Sequence, residues 1–200
     1  MNPPLKSTTS SQAGCMLIFG IIWTLGSLAM TIPMLLTFAP LALFGGVFVA
    51  IGGAMIWSGL KPILAAQKIG AAAVVLSSEA PRIGEQFLVD YTQTAKSSVS
   101  VLDHTITLIF RESATYTRGT DTTTVTDDIT VNQISYGPMT LRPGEVNQRR
   151  WEIQIPPNAM HSFEGRKNAL RWVLQTKVQM AGWPAYEEEF VFTVAPASMS

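Results

Sequence analysis

The order of apolar and polar positions divides the chain in two. From Gly14 to Leu36 (GCMLIFGIIWTLGSLAMTIPMLL) and from Leu41 to Leu60 (LALFGGVFVAIGGAMIWSGL) the sequence is almost continuously apolar, with Thr37-Phe38-Ala39-Pro40 between the runs. An α-helix rises about 1.5 Å per residue, so roughly 20 apolar residues cover a hydrocarbon core of about 30 Å and each run can span once. The connection suffices only for a tight reversal, and Pro40 favours a break just ahead of the second helix. The pattern predicts a transmembrane helical hairpin whose two ends emerge on the same side. Pro33 is expected to kink or end the first helix near the turn.

After a short stretch from Pro62 to Gly70, which could form a helical exit, the periodicity changes to alternation. Segments 71–77, 86–93, 98–112, 122–135, 148–155, 169–180 and 186–195 are rich in β-branched and aromatic residues, with turn residues between them. In 169–180, Leu170, Trp172, Leu174, Val178 and Met180 alternate with Arg171, Gln175, Lys177 and Gln179. One face is therefore buried and the other wet. Trp151, Ile153 and Ile155 alternate in the same way with Arg150, Glu152 and Gln154, and Phe190, Phe192 and Val194 with Glu189 and Thr193. About seven strands without an interleaved helix predict an antiparallel β-sandwich of two packed sheets. The expected organisation is an N-terminal tail over 1–13, the hairpin over 14–60, a linker over 61–70, the sandwich over 71–196 and a tail over 197–200.

Charge sharpens this division. The 54 positions from 7 to 60 contain no Asp, Glu, Lys or Arg, and 27 of the 28 charged residues fall in residues 61–200. Lys6 precedes the first run and Lys61 and Lys68 follow the second, so the positive-inside rule places both termini and the β domain in the cytoplasm. The lone Cys15 and the absence of an Asn-x-Ser/Thr sequon agree with that side. A secretory signal over residues 1–30 fits poorly, because a second full-length apolar run follows at once and no small-x-small site stands out. A lipid-anchored Cys15 fits less well, since its apolar core follows the cysteine. Near-balance of 13 basic and 14 acidic groups in residues 61–200 excludes a concentrated nucleic-acid-binding surface. Trp57 is placed as an interfacial anchor.

In the second run Gly46, Ala50, Ala54 and Ser58 recur every four residues. Such a stripe lets helix backbones approach closely. It is expected to pack against the first span at Gly20 and Thr24, with a homo-oligomer interface as the second use.

The stretch Ile155-Pro156-Pro157-Asn158-Ala159-Met160-His161-Ser162-Phe163, then 168–174 (NALRWVL), Trp183-Pro184 and 190–196 (FVFTVAP), resembles the C-terminal half of an arrestin-like or immunoglobulin-like sandwich. Val75-Leu76-Ser77, 81–85 (PRIGE) and Ile106-Thr107-Leu108 suit its opening strands. More narrowly, the chain resembles uncharacterised bacterial membrane proteins that place such a sandwich after a transmembrane hairpin. The resemblance implies a fold and little about function, and the chain is too short for the two-lobed arrestin body.

Candidate chemistry is sparse. The histidines are His104, beside Asp103 in a predicted strand, and His161, beside Ser162 in a predicted turn. A nucleophilic site needs Ser or Cys, a base and an orienting group within hydrogen-bond reach, whereas adjacent residues on an extended chain point apart. Two histidines and a cysteine in the membrane run make a poor zinc set. Three consecutive carboxylates, Glu187-Glu188-Glu189, cannot all face one ion from a strand and are expected to form a solvated strand start. Arg118 to Thr124 reads as a polar hairpin tip with too few converging oxygens for calcium. Arg149-Arg150 and Arg166-Lys167 are expected as solvated pairs, with anionic lipid as their other use. No catalytic, metal-ligating or cofactor-binding residue is assigned and no cofactor is expected. The expected function is a membrane-anchored, non-enzymatic protein-interaction module, its partners the bilayer and another protein. Alternatives are an enzymatic or ligand-binding site around Asp103, His104, His161 and Ser162, or an oligomerising hairpin with the sandwich as a cap.

Overall fold

Both apolar runs are helical in the computed structural model, which describes residues 2–8, 12–37 and 39–197. Helix α1 covers Gln12–Thr37 and α2 covers Ala39–Lys68. Both are long and apolar enough to cross a membrane, over Gly14–Leu36 and Leu43–Lys68. Their large apolar side chains face outward, Ile22, Met30, Leu36 and Leu43 among them, unlike a core helix hidden inside a water-soluble fold. Helix α1 continues through Pro33, and α2 through Pro62, so residues 61–68 are helical. The hydroxyls of Thr24, Ser27 and Thr31 donate to carbonyls four residues back, at 2.7, 2.8 and 2.7 Å, which satisfies them without water.

The helices meet on a glycine face, though not along the stripe the sequence pattern favoured. A Cβ at Gly59 would lie 2.7 Å from the Leu17 backbone nitrogen, and one at Gly45 or Gly52 would run into Thr31 or Thr24. The contact thus repeats every seven residues, the spacing of left-handed helix packing. Gly20 of α1 lies in the contact as expected, 2.9 Å from the Ile56 nitrogen by the same measure. Trp23 Nε1 donates to the Phe48 carbonyl at 3.1 Å. By contrast Gly46, Ala50, Ala54 and Ser58 are exposed, and nothing lies within 4 Å of a Cβ built on Gly46. Gly52→Leu should therefore separate the helices, whereas Ala50→Leu should leave them packed. Spin labels on native Cys15 and on Lys61→Cys should give one narrow distance for the unaltered hairpin and the Ala50 variant, and a broadened distribution for the Gly52 variant.

The remaining described residues build a β-sandwich. Strand β1 (Ala73–Leu76), β2 (Gln86–Thr94) and β6 (Val146–Gln154) form one antiparallel sheet in the order β1-β2-β6. The second sheet is six-stranded. Its centre is β3 (Val99–Arg118) paired with β8 (Asn168–Met180). Strands β4 (Asp121–Tyr136) and β5 (Met139–Leu141) lie beside β3, while β7 (Phe163–Glu164) and β9 (Trp183–Phe192) lie beside β8. The alternation predicted for 169–180 is observed: Trp172, Leu174, Val178 and Met180 are buried. Between the sheets Phe87 meets Phe192 at 6.0 Å and Tyr91 meets His104 at 4.8 Å, ring centre to ring centre.

Two features go beyond the alternating pattern. The β3–β4 hairpin outruns its neighbours: β3 pairs with β8 only as far as Ala114, so a wing of roughly 13 Å projects past it. Its turn is Gly119-Thr120, with Gly119 at φ +65° in the position a type II′ turn reserves for glycine. The second feature is the N-terminal tail. Asn2 Nδ2 donates to the Leu76 carbonyl at 2.9 Å and Leu5 N to the Val74 carbonyl at 2.8 Å. Ser7 then bridges Phe190, and Thr8 N donates to the Glu189 carbonyl at 3.0 Å. Residues 2–8 thus run down the seam between the edge strands β1 and β9 of the two sheets. The chain divides into two compact units, residues 1–8 with 67–200 and residues 9–66, which makes the helical hairpin an insertion within the β domain.

Candidate functional site

Alternation along β3 turns His104 inward and Asp103 outward, so the two adjacent residues occupy opposite faces of the sheet. His104 is fully buried. Asn147 Nδ2 lies 3.2 Å from its Nδ1 and Thr176 Oγ1 lies 3.1 Å from its Nε2. An amide nitrogen can only donate, so Nδ1 accepts and Nε2 carries the ring proton toward Thr176. Tyr91 packs its ring on that of His104, 4.8 Å between centres, and its hydroxyl donates to Gln93 Oε1 at 2.5 Å. Gln93 Nε2 donates to the Gly70 carbonyl at 2.9 Å. The result is two buried runs of hydrogen bonds, Asn147-His104-Thr176 and Tyr91-Gln93-Gly70, which the Tyr91–His104 ring contact joins into one chain of contacts.

Such a chain is a core device. Burial, reinforced by the Arg149 charge and opposed by Asp103, pushes the His104 pKa down to about 4, so the ring is neutral near pH 7. Burial likewise raises the Tyr91 and Tyr186 hydroxyls well above their ordinary value, with the Glu188 carboxylate adding to both. Glu188 is buried, accepts from the Tyr186 hydroxyl, and accepts from Ala72 N at 3.1 Å. This corrects the expectation of a solvated Glu187-Glu188-Glu189 strand start. Glu187 pairs with Lys177 at 2.7 Å and Glu189 with Arg111 at 2.8 Å on the outer face, and the middle carboxylate points into the core.

Asp103 is hydrogen-bonded to hydroxyls of its own sheet and not to Ser162. Its carboxylate accepts from Ser135 and from Thr105, the latter at 2.6 Å, which holds it below the usual carboxylate range. His161 is exposed, and Ser162 is used by the fold: its Oγ accepts from Val194 N at 2.9 Å. The turn bearing both residues is tied to Trp172, whose indole donates to the Met160 carbonyl at 3.0 Å. His104 pairs with Val178 on the same strand, six residues from Trp172 and so roughly 20 Å away. Asp103, His104, His161 and Ser162 therefore do not converge, and the site suggested around them is not formed. Among the described residues no cluster of three or more His, Cys, Asp or Glu could hold a metal ion.

The outer face of the larger sheet carries a charged lattice. Arg111 binds Asp128 on β4 through two bonds of 2.7 and 2.8 Å and reaches across to Glu189 on β9, which also accepts from Gln175 at 3.1 Å. These bonds raise the Arg111 pKa and hold Asp128 low. Arg171 pairs with Glu164 at 2.7 Å. The lattice ties five strands together and screens Val173, which is fully buried; its groups are satisfied by one another.

No family model matches the sequence, and no curated protein matches it. Among solved structures the fold is similar to that of Spo0M, sporulation control protein, from Bacillus subtilis, with a TM-score of 0.52 at 14% identity. That likeness supports the β-sandwich fold. The match covers 66% of this chain and 50% of the other, so the chain spans about half the length of the solved chain it matches. At this identity the likeness concerns the fold.

One pair of residues escaped the sequence reading. Glu112 and Asp127 are direct partners across the β3–β4 hairpin just below the wing, exposed, on its inner face. Counting outward from a two-residue turn at Gly119-Thr120 reaches this pair.

Proposed function

We propose that the chain is a membrane-anchored, non-enzymatic protein-interaction module, whose hairpin lies in a bacterial inner membrane and whose β-sandwich and two termini lie in the cytoplasm. The observation that carries this reading is the insertion of an apolar hairpin into one folded domain. Residues 2–8 before the hairpin and residues 67–197 after it share one sandwich, which supports placing both ends of the hairpin on one side of the bilayer. Lys6, Lys61 and Lys68 at those ends favour the cytoplasmic side. The interaction role is supported by the strand edge and inner face left open on the β3–β4 hairpin.

The test is site-specific photo-crosslinking of the full chain in its membrane. Crosslinkers at exposed sandwich positions such as Val125 and Phe163 should give discrete, reproducible protein adducts. Adducts confined to hairpin positions would overturn this reading in favour of an oligomerising hairpin.

A further inference from the structure

The smaller sheet ends at the level where Phe87 meets Phe192, and on the larger sheet Phe192 is level with Trp172 and Phe110. Beyond that level the inner face of the larger sheet has no sheet opposite it. What remains is a groove of about 520 Å³, within the usual size of a binding pocket. Ala114, Val125, Phe163 and Leu170 give it an apolar wall, and both Val125 and Phe163 are about half exposed. Glu112 and Asp127 line the same groove.

Like charges directly opposite on paired strands destabilise the pair. The carboxylates of Glu112 and Asp127 have no ion-pair or hydrogen-bond partner among the described residues, although Arg111 and Asp128, one position away on the other face, are fully paired. An apolar wall beside two unneutralised carboxylates matches one kind of side chain, a long aliphatic stem ending in a cation. The neighbouring backbone supplies the rest. Strand β4 is an edge: it pairs with β3 alone, and from Asp121 to Thr130 that pairing has no register shift. Edge strands are commonly blunted by Lys or Pro. β4 contains neither, and its charges are Asp121, Asp127 and Asp128.

We infer that the free edge of β4, from the wing down to Asp127, is a docking edge for an extended protein segment carrying Lys or Arg, which adds as a strand to β4 and lays a basic side chain over Asp127 toward Glu112. Main-chain hydrogen bonds supply affinity in this mode, and the groove selects the side chain. This inference rests on the interaction reading and names the surface and the partner's charge.

The test uses the full chain in detergent and a fluorescein-labelled decapeptide of Thr, Val and two Lys in alternation, with a control peptide in which both Lys are Glu. The Lys peptide should bind, with affinity falling as salt is raised, and the Glu peptide at least tenfold more weakly. Glu112→Gln with Asp127→Asn should lower affinity for the Lys peptide at least tenfold while raising the unfolding midpoint, since the repulsion is gone. A photo-crosslinker at Val125 should capture the peptide. Equal binding of the two peptides, or an unchanged affinity in the double variant, would overturn the inference. Cellular adducts at other sandwich positions together with no peptide binding would defeat this surface alone, whereas the absence of sandwich adducts would defeat the interaction reading itself.

Discussion

Trp172→Ala should lower the stability of the sandwich by about 3–5 kcal/mol, a large share of the roughly 5–15 kcal/mol that holds a domain folded. Trp172 is fully buried, stands 5.2 Å from the Phe110 ring, and its indole nitrogen holds the Met160 carbonyl at 3.0 Å. Truncation to Ala removes the ring contacts, leaves a cavity and orphans that carbonyl. Trp172→Phe keeps much of the packing and loses the hydrogen bond, so it should cost about 1–2 kcal/mol. Because the Met160 loop leads into Phe163, a wall of the groove, the Phe variant should also weaken peptide binding. Denaturant unfolding followed by circular dichroism measures both; a loss below about 1 kcal/mol for the Ala variant would show that the core is not centred here.

The second large effect is a dependence on pH. The His104 pKa is about 4 in the folded protein, against about 6.5 for an unfolded chain. Between those values the unfolded state takes up a proton that the folded state refuses. Stability therefore falls as pH drops from 6.5 toward 4, by about 3 kcal/mol over the window. The depressed carboxylates Asp103 and Asp128 act in the same direction, but below the ordinary carboxylate pKa of about 4. His104→Gln should thus flatten the stability profile between pH 6.5 and 4.5. It should also lower stability at pH 7, where Asn147 and Thr176 lose the ring that bridges them. An equal slope in the variant and the unaltered protein would contradict a neutral, buried His104.

Period and length made most of the architecture legible. Apolar runs of 23 and 20 residues announced α1 and α2, and strict alternation announced β8. Strands β5 and β7 are three and two residues long, too short to show a period. The helix contact was misread because α2 contains Gly45-Gly46 and Gly52-Gly53 doublets. Gly46, the second member of the first doublet, begins the four-residue stripe, whereas the first members, Gly45 and Gly52, continue at Gly59 in the seven-residue repeat that packing uses. Alternation implied that one of Glu187, Glu188 and Glu189 faces away from the others, yet only the partners Tyr186 and Ala72 show it to be Glu188 and buried. The tail pairing of Leu5 with Val74 and Ser7 with Phe190 joins residues far apart in sequence and leaves no local signal. Glu112 and Asp127 became partners through a turn read only as a polar tip.

The insertion of an apolar hairpin into one sandwich is tested most directly by the side of the membrane on which its two parts lie. In a Cys15→Ser background, single cysteines at Lys6 in the tail and at Thr120 on the wing can be probed with a membrane-impermeant maleimide in sealed vesicles of known orientation. Both positions should react from the cytoplasmic face alone. Labelling of the two from opposite faces would contradict the account, because the tail could not then run along the seam between β1 and β9.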